Sequence, residues 1–247
     1  MAEPVVSNST GRVRRIATAV IVLAAMGILI SLGTWQVERL YWKEALIADI
    51  DARRTAAPAS FEEIEAIAAT GGDVDYRAMS ASGTYLHDKE RHFLATFNGQ
   101  AGFYIYTPLQ MADGRFLFVN RGFVPYDRKD AGTRAEGQIE GPQQVNGLAR
   151  ARLNGKPGFL VPENDPAKNI FYWKDLDTMA ATVGLAADQV EPFFLDADST
   201  PVAGGLPQGG VTQVVLSNNH LQYAVTWYGL AAALALVAGV SMFRRKT

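Results

Sequence analysis

The stretch IATAVIVLAAMGILISLGTWQV, residues 16–37, decides how this chain is organised, because it is apolar and contains no charged residue. A helix needs about 20 residues, at ~1.5 Å rise per residue, to cross the hydrocarbon core of a bilayer. A second uncharged stretch, LQYAVTWYGLAAALALVAGVSMF, occupies residues 221–243. The sequence therefore predicts two membrane-spanning helices that flank the rest of the chain.

Basic residues lie on the outer flank of each stretch, and the positive-inside rule places such residues in the cytoplasm. They are Arg12, Arg14, Arg15, Arg244, Arg245 and Lys246. Residues 1–15 and 244–247 are therefore predicted to be cytoplasmic tails, with residues 38–220 forming a domain on the opposite side. The first stretch is too long for the apolar region of a signal peptide, and no A-x-A-like site follows it, so we expect it to remain as an anchor.

The charge balance and the absence of cysteine exclude several classes of protein. Outside the tails 17 basic residues stand against 24 acidic ones, and such a domain is not built to bind nucleic acid. The chain has no cysteine, which excludes disulfides, thiolate metal sites and cysteine nucleophiles. The short N-terminal tail contains Glu3, which argues against a transit peptide. We expect a bacterial inner-membrane protein whose main domain is periplasmic.

The outer domain is predicted to be α+β, with sheet dominating. Alternating or β-branched and aromatic runs predict strands at residues 82–87, 91–97, 103–109, 115–120, 143–150, 170–173 and 212–217. Helices are predicted at residues 60–69, where Ser60 and Glu63 form a capping-box pattern, and at residues 176–183. The first spanning helix is expected to continue beyond residue 37 as a stalk. Residues 127–142 and 200–211 are rich in glycine, proline or charge and are predicted to be mobile loops.

His220 is the first residue that calls for a functional explanation. It directly precedes the second apolar stretch, within the run SNNHLQYAVTWYGLA. An ionisable side chain at membrane depth is costly, so such a residue suggests a functional site. A role in capping the helix is the simpler alternative, with Ser217, Asn218 and Asn219 as the cap candidates.

Four segments, in order along nearly the whole chain, resemble the Surfeit locus protein family. They are GTWQVERLYWKEALI (33–47), GFYIYTPL (102–109), FVNRGFVP (118–125) and NNHLQYAVTWYGLA (218–231). At residue 123 the family more often has tryptophan. This chain has Phe123, which is also aromatic. Members of this family are assembly factors for haem–copper cytochrome oxidase.

The resemblance implies a two-span membrane protein that helps to insert haem A into the large oxidase subunit. The histidine that the family uses as a haem ligand corresponds to His220, and the tryptophan of the same motif corresponds to Trp227. We expect haem A as a transient cargo, and the large subunit of the oxidase, haem A synthase and membrane lipid as candidate partners.

The residues themselves suggest how this corner would hold a haem. On a helix His220, Tyr223 and Trp227 share one face, together with Ala224 and Ala231. A haem needs an axial nitrogen, apolar surroundings and positive potential for its propionates, and Arg39 lies just beyond the first span. Four-residue spacing of small side chains predicts that the spans approach closely at Gly27, Ser31, Gly229 and Ala233.

Several simpler interpretations stay open. The aromatic residues near the ends of the spans are also typical of an interfacial belt. His87 and His92 flank a short loop, and two imidazoles there would suit copper or zinc, although such pairs are usually solvated. Arg121 is either a recognition residue or, more simply, a conformational one. No hydrolase, metalloprotease or nucleotide-binding motif is present, so we expect no enzyme.

Two functions from different classes therefore remain. In the first, the protein carries haem A on His220 and docks on the nascent oxidase subunit. In the second, it is a structural assembly partner that stabilises an oxidase intermediate without binding haem. An anchored periplasmic receptor for a small ligand is a third, weaker hypothesis.

Overall fold

The computed structural model describes residues 9–212 and 216–243, and the chain divides into two compact units. The helix unit comprises Met1–Asp49 and Val215–Thr247, and the barrel unit comprises Ile50–Val214. Helix α1 spans Ser9–Thr55, so the first apolar helix does continue beyond residue 37. Helix α4 spans His220–Phe243. Both are long and apolar enough to cross a membrane, which is compatible with a membrane protein.

In the described part of the barrel unit six strands form one sheet. They are β1 (Ala78–Tyr85), β2 (Arg91–Phe97), β3 (Gln100–Gln110), β4 (Phe116–Pro125), β5 (Pro142–Ala151) and β6 (Val190–Ala197). The strand order is β1-β5-β6-β4-β3-β2, and β1 also pairs with β3. Five strands thus close into a barrel, and β2 extends it from the far edge of β3. All pairings are antiparallel except that of β4 with β6.

The closure between β1 and β3 is short and depends on a glycine. It consists of the pairs Thr84↔Gln110 and Tyr85↔Leu109. A Cβ atom on Gly83 would lie 2.4 Å from the backbone oxygen of Gln110, closer than any real contact allows. The absence of a side chain at residue 83 therefore lets the two strands meet.

Two apolar layers cover the two faces of the barrel wall. The inner layer is filled by helix α2 (Phe61–Ala69), which inserts Phe61 and Ile64 among residues such as Met79, Leu117 and Leu195. The outer layer lies beneath helix α3 (Leu176–Ala181) and consists of Tyr106, Phe116, Phe118, Phe171, Leu176, Met179, Ala180, Leu185 and Phe194. Each large side chain buried in this way contributes about 1.5–3 kcal/mol.

Short 3-10 helices occupy several of the connections. They span His87–Lys89, Tyr126–Arg128, Ala131–Gly137, Pro166–Lys168, Ala187–Gln189 and Ala203–Gly205. The capping box predicted for α2 is present, since Ser60 accepts from the Glu63 backbone and the Glu63 carboxylate accepts from the Ser60 backbone. The Asn98-Gly99 turn joins β2 to β3 with both residues at positive φ.

The structure corrects two of the predicted strands and adds one that was not predicted. Residues 170–173 form only isolated bridges, in which Phe171 pairs with Phe93 and Ile170 with Asp165. Of residues 212–217, the stretch 213–215 lies outside the described residues and the remainder is not strand. Strand β6 was not predicted, and it contains Pro192, a residue that is uncommon in central strands. That proline lies where the pairing of β6 with β4 shifts register, between Val190↔Phe116 and Phe194↔Phe118.

Candidate functional site

His220 is the first residue of α4, and its ring is hydrogen-bonded to a side chain of α1. The distance from His220 Nδ1 to Gln36 Oε1 is 2.7 Å. Gln36 is 9% exposed although it lies within the apolar stretch of α1. Because a carboxamide oxygen only accepts, Nδ1 is the donor in this contact, and in a neutral ring Nε2 would then have the free lone pair. The arrangement presents one imidazole nitrogen as a ligand.

Gln36 was not among the residues singled out from the sequence. It is the one carboxamide side chain within residues 16–37, and an amide in an apolar span needs a partner. That signal was available, but it does not identify the partner. The pairing of residues 36 and 220 appears only when the two helices are placed side by side.

The two helices of the helix unit are in close contact at Gly33, which is not one of the predicted small residues. A Cβ atom on Gly33 would lie 2.7 Å from the Tyr228 ring, and the Tyr228 hydroxyl is 3.1 Å from Thr34 Oγ1. By contrast, a Cβ atom on Gly27 or on Gly229 would have nothing within 4 Å. The prediction of close packing at Gly27, Ser31, Gly229 and Ala233 was therefore wrong, since spacing alone does not choose which face of a helix is packed.

The predicted stripe on α4 is only partly packed. Ala224 and Ala231 are buried, while His220 and Trp227 are half-buried on the same side. Tyr223 is 54% exposed and lies outside this stripe. The packed side of α4 therefore follows residues four and seven positions after His220, and Tyr223, three positions after it, is not on that side.

Arg39 is exposed one turn beyond Gln36 on α1. Its guanidinium carbon lies 3.9 Å from the centre of the Trp42 ring, and in the described part of the chain it has no ion pair with a carboxylate. Arginine stacked on an aromatic face keeps its N–H donors for an anion. Its donors therefore remain available for a carboxylate ligand.

The start of α4 combines capping with the histidine. The Asn218 side chain accepts from the His220 backbone at 3.4 Å, and the Asn219 carbonyl accepts the first hydrogen bond of the helix, from Tyr223 N at 3.2 Å. The first N–H groups of a helix carry partial positive charge, which favours carboxylates nearby. The His220 side chain takes no part in these contacts.

The two histidines of the barrel unit have protein partners of their own. Arg121, which is buried, donates to His87 Nδ1 at 3.2 Å and to the Gly137 carbonyl, as expected for a conformational role. His92 Nε2 lies 2.8 Å from a Glu90 carboxylate oxygen. Among the described residues no group of three or more histidine, aspartate or glutamate side chains is arranged to hold a metal ion.

Glu90 is the centre of a buried ion pair. Burial raises its pKa, but hydrogen bonds from His92 and Arg134 outweigh burial and hold the pKa below its usual value. Arg134 donates to the same carboxylate and its side chain is 1% exposed. Since Arg134 belongs to the loop between β4 and β5, this pair anchors a segment that we predicted to be mobile.

Comparison with known proteins identifies the family of this chain. A model described as the SURF1 family matches residues 23–232, which include both the barrel and the His220 region. The chain belongs to the SURF1 family. It is 38% identical to Surfeit locus protein 1 of Xenopus tropicalis over 224 residues, covering 82% of this chain and 68% of that protein.

Two further relatives show similar identity over most of the chain. Surfeit locus protein 1 of Homo sapiens is 38% identical over 219 residues, covering 82% of this chain and 70% of the relative. A SURF1-like protein of Drosophila melanogaster is 32% identical over 226 residues, covering 83% and 71%. The SURF1 family is generally known for cytochrome oxidase assembly rather than for catalysis.

Proposed function

We propose that this SURF1-family protein binds haem A through His220 and assists its insertion into the large subunit of a haem–copper oxidase. The observation that carries the proposal is the 2.7 Å contact of His220 Nδ1 with Gln36, which leaves Nε2 as the free nitrogen. Haem iron takes histidine as an axial ligand, and a neutral imidazole is the binding form. The bound haem supplies the oxidase with its redox centre.

The surrounding residues fit such a cargo. Trp227 is half-buried two turns after His220 on the same side of α4, and Tyr223 adds an exposed ring one turn from His220. Arg39 keeps its donors for a propionate. One histidine with accessory rings and a single arginine suits transient holding, because a carrier has to release what it carries.

The proposed setting follows the two apolar helices. We place the protein in a bacterial inner membrane, with both termini in the cytoplasm and the barrel unit in the periplasm. The large oxidase subunit would receive the haem, haem A synthase would supply it, and lipid would surround α1 and α4. The exposed apolar side chains along both helices support a lipid environment.

The deciding experiment compares haem content and optical spectrum of the full-length protein and its His220→Ala variant. Both are purified from membranes that make haem A and are compared at equal protein. We expect the wild type to carry haem A and the variant to lose it while staying folded. The matched control is His87→Gln, which changes a barrel histidine and should keep the haem.

Equal haem content in the wild type and His220→Ala would overturn the ligand assignment. The structural assembly partner without haem would then become the better function. A wild type free of haem that still supports oxidase assembly would lead to the same conclusion. Measuring assembled oxidase in the same membranes separates these results from simple loss of the protein.

Gln36 serves in this proposal as a positioning residue, because the acceptor on Nδ1 sets the tautomer and basicity of a ligating histidine. We expect Gln36→Glu to lower the reduction potential of the bound haem and Gln36→Leu to raise it and to weaken binding about 10-fold or more. Redox titration and haem content report these effects. Identical potentials in all three proteins would contradict the role of Gln36.

A further inference from the structure

A polar cavity of about 260 Å³ opens on the outer face of the barrel, within the barrel unit. Tyr106, Asn120 and Asp196 lie side by side across β3, β4 and β6 and form its floor. Phe93 and Tyr104, with stacked rings 6.2 Å apart, form an aromatic wall. Lys174, Arg150 and Thr212 complete the lining.

Lys174 is the unpaired cation of this cavity. Among the described residues its ammonium group has no ion pair or hydrogen bond, and it lies 5.9 Å from the Tyr106 ring centre and 5.8 Å from that of Phe194. Burial lowers its pKa, an effect that the charge of Asp196 opposes. Lys174 is half-buried, and partial burial of an ammonium group without a counter-ion is costly.

The neighbouring charges are already paired with one another. Asp196 accepts from Asn120 at 3.1 Å and from Thr212 at 2.7 Å, and Arg150 lies 3.6 Å from it. Arg150 also donates to Asp75 at 3.1 Å. These contacts hold the Asp196 carboxylate in place, and among the described residues Lys174 donates to none of the groups involved.

A second group at the cavity also lacks a partner among the described residues. The Tyr106 side chain is fully buried, and its hydroxyl has no hydrogen-bond partner there. Buried hydroxyls are nearly always hydrogen-bonded. Lys174 can only donate and the Tyr106 hydroxyl can donate as well as accept, so an oxygen acceptor would satisfy both groups.

We propose that this cavity binds a small carboxylate with an aromatic or apolar body. The carboxylate would accept from Lys174 and Tyr106, while the Phe93 and Tyr104 rings would contact the body. The nearby charge of Asp196 disfavours a dianion such as phosphate and favours a single negative charge. This site shares no residue with His220 or Gln36, so its test is independent of haem.

Benzoate is a suitable probe and benzamide its uncharged counterpart. Binding of each to the full-length protein in detergent is measured by calorimetry, for the wild type and for Lys174→Met, Tyr106→Phe and Lys129→Met. Lys129 is a matched control, because it also lies over an aromatic ring but donates to a backbone carbonyl outside the cavity. We expect the wild type to prefer benzoate over benzamide about 10-fold or more.

Lys174→Met should remove that preference, Tyr106→Phe should weaken benzoate binding about 3-fold or more, and Lys129→Met should change neither. Equal binding of benzoate and benzamide by the wild type would overturn the proposal, and so would absence of saturable benzoate binding. Near-ultraviolet circular dichroism checks the fold of each variant. If Lys174→Met unfolds, Lys174→Arg decides, because it keeps the charge and should keep the preference for benzoate.

Discussion

The barrel unit and the helix unit are stabilised in opposite ways. The barrel buries large apolar side chains on both faces of its wall and holds its loops with buried charges such as Glu90 and Arg134. The helix unit has few specific contacts, chiefly Gly33 with Tyr228 and Gln36 with His220, and exposes apolar side chains along most of its length. The large apolar cores are in the barrel unit, whereas the proposed ligand is in the helix unit.

The difference shows why a lone polar contact carries more information in the helix unit. In the barrel many hydrogen bonds act together, so a single hydrogen-bonded pair says little about how the segments are positioned. Between two apolar helices a hydrogen bond such as that of Gln36 and His220 fixes the rotation of one helix against the other. The helix unit can therefore position a ligand without a large core.

The largest expected effect is on the barrel. Arg134→Met should lower the free energy of unfolding by about 3–5 kcal/mol, because it leaves the Glu90 carboxylate buried without its cation. Denaturant unfolding followed by near-ultraviolet circular dichroism measures this. Arg152→Met removes an ion pair with the exposed Asp177 and should cost less than about 1 kcal/mol. Similar losses of unfolding free energy in both variants would mean that burial does not determine how much each ion pair stabilises the protein.

The next effect should fall on the helix unit alone. Gly33→Leu should destabilise the pairing of α1 and α4 by about 1–3 kcal/mol, because the new side chain overlaps the Tyr228 ring. Unfolding in SDS can be followed by Trp35 and Trp227 fluorescence after Trp42 and Trp173 are replaced by phenylalanine. Gly27→Leu is the control and should have little effect. Equal losses for the two glycines would remove the evidence for packing at Gly33.

A smaller effect tests the predicted helix cap of the barrel. Ser60→Ala should cost about 1 kcal/mol, because it removes the acceptor for the Glu63 backbone N–H at the start of α2. Thermal unfolding of the full chain, with Ser82→Ala on the exposed side of β1 as control, reports the difference. An unchanged midpoint for Ser60→Ala would show that α2 is held by Phe61 and Ile64 alone.

The smallest effect is a pH dependence confined to the barrel. Burial lowers the pKa of His87 below 6.5, with the charge of Arg121 acting in the same direction. The unfolded chain then binds this proton more readily than the folded one, so stability falls as the pH drops below about 6.5. Unfolding midpoints measured from about pH 7.5 to about pH 5.5 should show this fall. His87→Gln should flatten it, and an unchanged slope would assign the effect to another group.

Local signals in the sequence predicted much of this molecule. The two apolar helices and the capping box at Ser60 each depend on residues that are close in sequence, and each is present. Residues 170–173 show the limit of such signals, because an apolar aromatic run is typical of a strand even where it only bridges to β2.

The candidate site was predicted only in part, because only some of its residues are recognisable from the local sequence. His220 stood out because an ionisable residue at the edge of an apolar stretch is visible from composition alone. Gln36 did not, since its significance depends on a partner 184 positions away. The exposure of Tyr223 likewise depends on which face of α4 meets α1.

Three properties of this protein follow from its sequence alone: the two apolar helices, the sheet-rich character of the segment between them and the family. They depend on hydrophobic patterning and on motifs that extend over a few residues at a time. The closure of the barrel by β1 and β3, the parallel pairing of β6 with β4, and the contacts of Gln36 and Gly33 with α4 emerge only in three dimensions. The physical reason is that pairing between distant segments depends on shape and register, which no local period of the sequence encodes.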